Sequence, residues 1–238
     1  SSITFNIDTT TPTVTLTDTD SDNRLGISDT VTFTATFSES MLNSPTITIG
    51  DGVVNKTMTV SNSSSSVVSS VWLYTLDMST WSGTDSDTFK VTVAGKDLAD
   101  NPYSGSDSIT ISIDTSTPTV TLTDTDSDNI IGSSGSVTIT ATFSEAMAVS
   151  PTITIGNGVT NQSMTATSSS AVWIYYFSAN SYQGSGTTAS ATVAGTDING
   201  NAYSGSESIT YTFDYTNPQV TSSGISADNL TVSLTFSE

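Results

Sequence analysis

Three aspartates stand at alternate positions in Asp18-Thr19-Asp20-Ser21-Asp22-Asn23, and the run returns with Asp124, Asp126 and Asp128. Carboxylates at positions 1, 3 and 5 of a loop open an EF-hand calcium site. The continuation departs from that pattern: position six is Asn23 rather than glycine, and position twelve is Asp29 in one copy but Gly135 in the other. The loop is therefore not an EF-hand. It reads either as an oxygen-rich seat for a hard cation or as a solvated Asp/Asn turn between strands. Other chemistry is hard to assemble. The 238 residues include no histidine and no cysteine, which removes the commonest general base and transition-metal ligand as well as the thiolate nucleophile. A serine nucleophile would have no imidazole partner. Two carboxylates held about 5–9 Å apart in a cleft could hydrolyse a glycoside, yet small loops offer no obvious cleft. The same acids also recur in both copies. The expectation is a protein that is not an enzyme.

Charge narrows the partners. There are 23 acids against four bases (Arg24, Lys56, Lys90 and Lys96), all four in the first half, for a net charge of -19. Such a surface repels phosphate backbones and anionic membranes, so no nucleic acid is expected as a partner, and divalent cations are the natural counter-charge. No apolar run approaches the ~20 residues of a membrane span, so no membrane insertion is expected. The chain begins inside a patterned segment, and any export signal is expected outside it.

The elements that must position these acids are set by an internal repeat. Thr11 to Asn23 returns unchanged as Thr117 to Asn129, an offset of 106 residues, and Phe37-Ser38-Glu39 returns as Phe143-Ser144-Glu145. Tyr103-Ser104-Gly105-Ser106 returns at Tyr203, an offset of 100. The second copy is thus shorter by six, a loss that falls in the Ser-rich stretch 61–71 and reads as a shortened surface loop. Partial copies frame the chain: Ser2 to Asp8 matches Ser108 to Asp114 and Ser208 to Asp214, and Asn217-Pro218 restarts the unit that reaches Phe236-Ser237-Glu238.

Within each copy the hydrophobic period is two. Val31, Phe33, Ala35 and Phe37 alternate with threonines, as do Val137, Ile139, Ala141 and Phe143; Leu230, Val232, Leu234 and Phe236 alternate in the third. That period specifies half-buried strands, and threonine suits the outward positions. Seven strands are expected per copy, near 13–17, 30–37, 46–50, 57–61, 68–77, 88–94 and 107–114. Seven short strands in about 100 residues make a two-sheet sandwich. Trp72 and Trp173, in phase with Tyr74 and Tyr175, are expected at the centre of the core.

Strands that alternate up and down assign each loop to a pole. Asp8, Glu39, Asp97 and Asp100 fall at the upper pole of the first copy; Asp18, Asp20, Asp22, Asp85 and Asp87 fall at the lower. With copies stacked end to end, the lower pole meets Asp114, Glu145, Asp197 and Asn201. The candidate metal ligands are therefore Asp8, Asp18, Asp20, Asp22, Glu39, Asp97, Asp114, Asp124, Asp126, Asp128, Glu145, Asp197, Asn201 and Asp214. Six of these (Asp18, Asp20, Asp22, Asp114, Glu145 and Asp197) are expected to crowd one joint.

Pro12 to Leu16, the Phe-Ser-Glu ends at Glu39 and Glu145, and Asp97-Leu98-Ala99-Asp100-Asn101 with its copy Asp197-Ile198-Asn199-Gly200-Asn201 together resemble the bacterial immunoglobulin-like repeats of giant adhesins. The resemblance covers nearly the whole chain. It implies an all-β fold of tandem seven-stranded immunoglobulin-like sandwiches stacked end to end. The expected division is 1–8, the last strand of a preceding module; 9–114, module one; 115–214, module two; and 215–238, the start of an incomplete third. It also implies a non-catalytic stalk outside a bacterial cell, at the cell surface, whose partners are neighbouring modules of the same chain and whose bound ion is Ca²⁺. The alternatives are a sugar- or protein-binding module using exposed Trp81 and Tyr182, and a subunit that self-associates into a surface fibre.

Overall fold

The computed structural model describes residues 2–61, 69–156, 158–182, 187–227 and 231–237. Most of the Ser-rich stretch, Leu230, Glu238 and the side chain of Asp87 lie outside the described residues. The chain groups into two compact units. One comprises Ser1–Thr119, Glu145–Val149 and Gly195–Ser204; the other comprises Val120–Ser144, Ser150–Ala194 and Gly205–Glu238.

In the first unit the strands are β1 (Val14–Asp18), β2 (Arg24–Leu25), β3 (Thr30–Phe37), β4 (Thr46–Ile49), β5 (Val53–Thr57), β6 (Thr59–Val60), β7 (Val71–Asp77), β8 (Ser86–Ala94) and β9 (Ile109–Ile113). They form one sheet in the order β1-β3-β7-β6 and a second in the order β2-β9-β8-β4-β5. All neighbours are antiparallel except β2 and β9, which run parallel. This is the two-sheet partition of an immunoglobulin-like sandwich.

The seven expected strands are present, and one of them changes sheets. The first is β1; the short β2, beyond the acidic loop and in the other sheet, lies outside every expected strand. The strand expected at 57–61 begins earlier, at Val53, as β5, and crosses to the other sheet as β6. It carries no clean alternation because β5 is an edge strand with four successive exposed residues after Val53, so period-two reasoning had nothing to hold there.

The second unit repeats the design with β10 (Val120–Asp124), β11 (Ile130–Gly132), β12 (Ser136–Phe143), β13 (Thr152–Ile155), β14 (Val159–Ser163), β15 (Thr165–Ala166), β16 (Val172–Ser178), β17 (Thr187–Ala194) and β18 (Ser208–Asp214). Its sheets are β10-β12-β16-β15 and β11-β18-β17-β13-β14. A separate two-stranded sheet joins β19 (Val220–Ile225) to β20 (Val232–Phe236). Every described residue of those two strands is exposed. Residues 2–8 carry the alternating pattern of β9 but lie in no strand, and Ile3, Phe5 and Ile7 are about four-fifths exposed. A strand pattern becomes a strand only where a neighbour supplies the ladder.

The two tryptophans sit where the pattern places them. Trp72 is 1% exposed and faces Ala35 across the β3–β7 ladder; Trp173 faces Ala141 across β12–β16. A small residue opposite a large one leaves room for the indole between the sheets. Each indole N–H donates to a backbone carbonyl, of Ser69 at 2.9 Å and of Ser170 at 3.0 Å, so neither buried donor is left unpaired.

Trp81 and Tyr182 are not exposed platforms. Trp81 is half-buried against the core, its ring 5.9 Å from that of Phe89. Tyr182 is buried and stacks on Phe213 with ring centroids 4.0 Å apart. Both follow a short 3₁₀ turn that folds the ring back over a glycine. A β-carbon on Gly52 would meet the Trp81 ring at 2.5 Å, and one on Gly158 the Tyr182 ring at 2.3 Å.

Replacing Trp173 with Ala should remove about 3–5 kcal/mol from the unit that contains it, since the Ala141 side cannot collapse to refill the space. Denaturant unfolding followed by far-UV circular dichroism should show that unit melting first, while the fluorescence of Trp72 and Trp81, both in the other unit, should keep its original midpoint. Equal loss throughout the chain would mean that the two cores are one.

Candidate metal centre

Two trios of acids are drawn together from loops distant in sequence. Asp8, Glu39 and Asp97 form one; Asp114, Glu145 and Asp197 form the other, and within each trio a carboxylate oxygen of every member lies within 4.8 Å of the others. Both trios lie wholly within the first compact unit. In each, one acid follows the residues equivalent to β9, one follows the third strand (β3 or β12) and one follows the long strand β8 or β17.

The aspartate of the last loop is the anchor. Asp97 and Asp197 are buried, at 1% and 0% exposure. A buried carboxylate is costly unless its oxygens are satisfied, and here the loop itself satisfies them. Asp97 Oδ1 accepts the N–H groups of Ala99 and Asn101 at 2.8 Å, and Oδ2 accepts Asn101 Nδ2 at 2.8 Å. Asp197 repeats this with Asn199 N–H at 2.8 Å, Asn201 N–H at 2.9 Å and Asn201 Nδ2 at 2.9 Å. The turn needs a left-handed residue four places along the motif, supplied by Asp100 (φ 73°) and by Gly200 (φ 91°). Bridges from Met41 to Asp97 and from Met147 to Asp197 bring each loop beside its glutamate. The asparagine then ties in the third member. Asn101 Nδ2 donates to the Asp8 carbonyl at 3.2 Å, and Asn201 Nδ2 to the Asp114 carbonyl at 2.8 Å.

These contacts shape the charge. Burial raises the Asp97 carboxyl, but the hydrogen bonds from Asn101, Ala99 and Asp100 outweigh it and hold the group below the usual aspartate value. Glu39 moves the other way: partial desolvation and then the negative charges of Asp8 and Asp97 raise it above the usual glutamate value. An all-oxygen set of three carboxylates suits a hard cation. Oxygens within 4.8 Å of one another can be spanned by an ion whose oxygen ligands stand at about 2.3–2.6 Å, the calcium distance.

The other expected ligands hold their own loops. Asp18 Oδ1 accepts Asp20 N–H at 2.9 Å, while Asp20 Oδ2 and Asp22 Oδ1 accept Arg24 N–H at 3.1 and 3.2 Å. Asp124 Oδ1 accepts Asp126 N–H at 2.7 Å, and Asp128 Oδ1 accepts Ile130 N–H at 3.0 Å. Asp124 Oδ2 also receives the hydroxyl of buried Tyr211 at 2.9 Å. Burial and that carboxylate push the tyrosine far above its usual range. Asp126 Oδ2 is enclosed with no hydrogen-bond partner among the described residues. Asp214 accepts Thr216 N–H and Oγ1–H, and joins no trio among the described residues. Asp100 pairs with Lys96 at 2.9 Å instead of joining the upper cluster.

The crowd of six expected at one joint is thus a trio beside a loop that is internally hydrogen-bonded. Asp20, Asp22 and Arg24 share a cleft of about 280 Å³ with Asp197, Asn199 and Gly200, so a cation of the chain's own, Arg24, stands among those acids. Asn101 was missed as a site residue although it occupies the position of Asn201 at the same repeat offset; that offset was the signal for it.

No family model and no curated protein matches the chain. Among solved structures it is similar to one concerned with host cell surface retention of a 1.5-MDa bacterial ice-binding adhesin, with 22% identity and a TM-score of 0.47 over 86% of this chain and 65% of that one. It is similar to the fibronectin(III)-like modules of CbhA from Clostridium thermocellum, with 14% identity and a TM-score of 0.41 over 85% of this chain and 95% of that one. A tetra-tandem repeat in the extending region of a large adhesion protein matches with 20% identity and a TM-score of 0.35, over 88% of this chain and 53% of that one. The chain therefore spans under two thirds of the first and third of these chains.

Proposed function

We propose that this chain is a non-catalytic extracellular spacer of a bacterial surface adhesin, built of tandem immunoglobulin-like modules and stiffened by calcium at two places. The observation that carries the reading is the double assembly of the same trio. Three loops far apart in sequence bring Asp8, Glu39 and Asp97 together, and the homologous loops bring Asp114, Glu145 and Asp197 together. Asp97 and Asp197 are held by their own turns and give each trio a fixed member on which the other two acids would close round an ion. Bound calcium would supply the positive charge that lets the three carboxylates stay close. Segment 114–119 would then be fixed to loops 145–149 and 195–204. Weak sites, on the order of 10⁻⁴ M, suit the calcium found outside cells.

Calorimetric titration of the chelated chain with Ca²⁺ tests this. Two weak sites are expected, and calcium at a hundredfold excess over Kd should add about 2.7 kcal/mol per site to the stability of the region that binds. Asp114→Asn should abolish one site and leave the other, while Asp128→Asn should change neither. Absence of binding heat together with a calcium-indifferent melting curve would reduce both trios to solvated loop acids.

Acidity gives a second check, with the sign fixed by the shifts. Glu39 is raised, so its charged form is disfavoured in the fold, and its contribution to stability is lost as pH rises through that raised value. Asp97 is lowered, so its contribution is lost only as pH falls through a value below the usual aspartate range. Carboxyl titration by NMR should therefore find Glu39 protonating before Asp97 in chelator, with calcium drawing the Glu39 midpoint down. An unmoved Glu39 midpoint in saturating calcium would remove Glu39 from the site.

A further inference from the structure

The loop that carries Asp197 makes a second set of contacts that no cation mediates. Asn201 is 1% exposed and uses both ends of its amide. Oδ1 accepts the Ile27 N–H at 2.8 Å, while Nδ2 reaches the Asp114 carbonyl and Asp197 Oδ2. Buried Asn199 donates from Nδ2 to Ser112 Oγ at 3.2 Å. Between these sits Gly26. A β-carbon there would stand 2.2 Å from the Asn199 carbonyl oxygen and 2.7 Å from Asn201 Oδ1, closer than atoms can approach. Gly26 is not among the residues of positive φ. Glycine is required here for space and not for backbone conformation.

The equivalent glycine of the second module provides the internal control. A β-carbon on Gly132 meets nothing closer than the Asp214 carbonyl at 3.8 Å, so that position has ordinary room. The earlier copy of the loop differs as well: Ala99 replaces Asn199, and Asn101 bonds to Asp8 and Asp97.

We propose that Gly26–Ile27 and Asn199–Asn201 form a cation-independent docking lock, in which the missing β-carbon at 26 selects the loop and Asn201 positions it. The lock holds Asp197 in place whether or not an ion is bound. Loss of an ion from the trio would then leave the 195–204 loop docked. The inference stands on packing and hydrogen bonds alone and does not require the calcium reading.

Amide hydrogen exchange of Ile27, measured by NMR on the full chain in chelator, tests it. The Ile27 amide should be protected in the unaltered chain. Asn201→Ala should speed its exchange roughly tenfold or more, since its acceptor is lost. Gly26→Ala should do the same while keeping all three carboxylates of the trio, and Gly132→Ala should leave Ile27 unchanged. The amides of Phe33 and Ala35 report folding; if Gly26→Ala exposes those too, the result is read from Asn201→Ala, whose core should stay protected. Free exchange of Ile27 in the unaltered chain without calcium, or unchanged exchange in Asn201→Ala, overturns the lock. Failure of the calcium reading shows separately, as absent binding heat with Ile27 still protected.

Discussion

With only 34% of its residues apolar, this chain can close a core only by sending every second residue of its central strands inward. Strands β3 and β12 do so without exception: Val31, Phe33, Ala35 and Phe37, and Val137, Ile139, Ala141 and Phe143, are all buried. Threonine takes the outward places, where its branched carbon favours the extended chain and its hydroxyl stays in water. In each unit a buried tryptophan stands opposite an alanine of the neighbouring strand. Little apolar material remains for the loops. They are left to short polar residues that form turns, which is why aspartate and asparagine gather there.

A loop rich in aspartate has to find donors for its oxygens. In the 18–23 and 124–129 loops the carboxylates accept N–H groups two to four residues ahead. The loops at 97–101 and 197–201 bury the aspartate itself and use nearly the whole turn to satisfy it. One residue type therefore gives exposed or partly buried turn acids in one place and a fully buried anionic anchor in another. The difference lies in the asparagine that closes the ring from four residues on.

Much of this was legible in the residues. Alternation locates five of the seven strands closely, and the assignment of loops to poles alone groups Asp8, Glu39 and Asp97. What escaped depends on tertiary neighbours. Val53 to Thr57 lies at a sheet edge, where both faces meet water and no period is imposed. Trp81 and Tyr182 follow 3₁₀ turns whose direction no strand period encodes. Asp100 matched the pole assignment but is drawn aside by Lys96 four residues back. Gly26 is the clearest case, because Gly132 aligns with it and has open space; only the partner loop makes glycine necessary.

The balance around Asp197 decides how the 195–204 loop behaves. Like charges about 4 Å apart repel by about 1 kcal/mol in water and about 4 kcal/mol near a protein surface. Asp114, Glu145 and Asp197 make three such pairs. Against them stand the hydrogen bonds of Asn199 and Asn201 that reach beyond their own loop to Ile27, Asp114 and Ser112. Each of these contributes about 0.5–1.5 kcal/mol net. Three pairs repel by about 3 kcal/mol in water, against about 1.5–4.5 kcal/mol from three hydrogen bonds, so the lock holds where the acids stay hydrated. A divalent ion at the trio would offset the repulsion that remains and leave unchanged the hydrogen bonds that dock the loop by themselves.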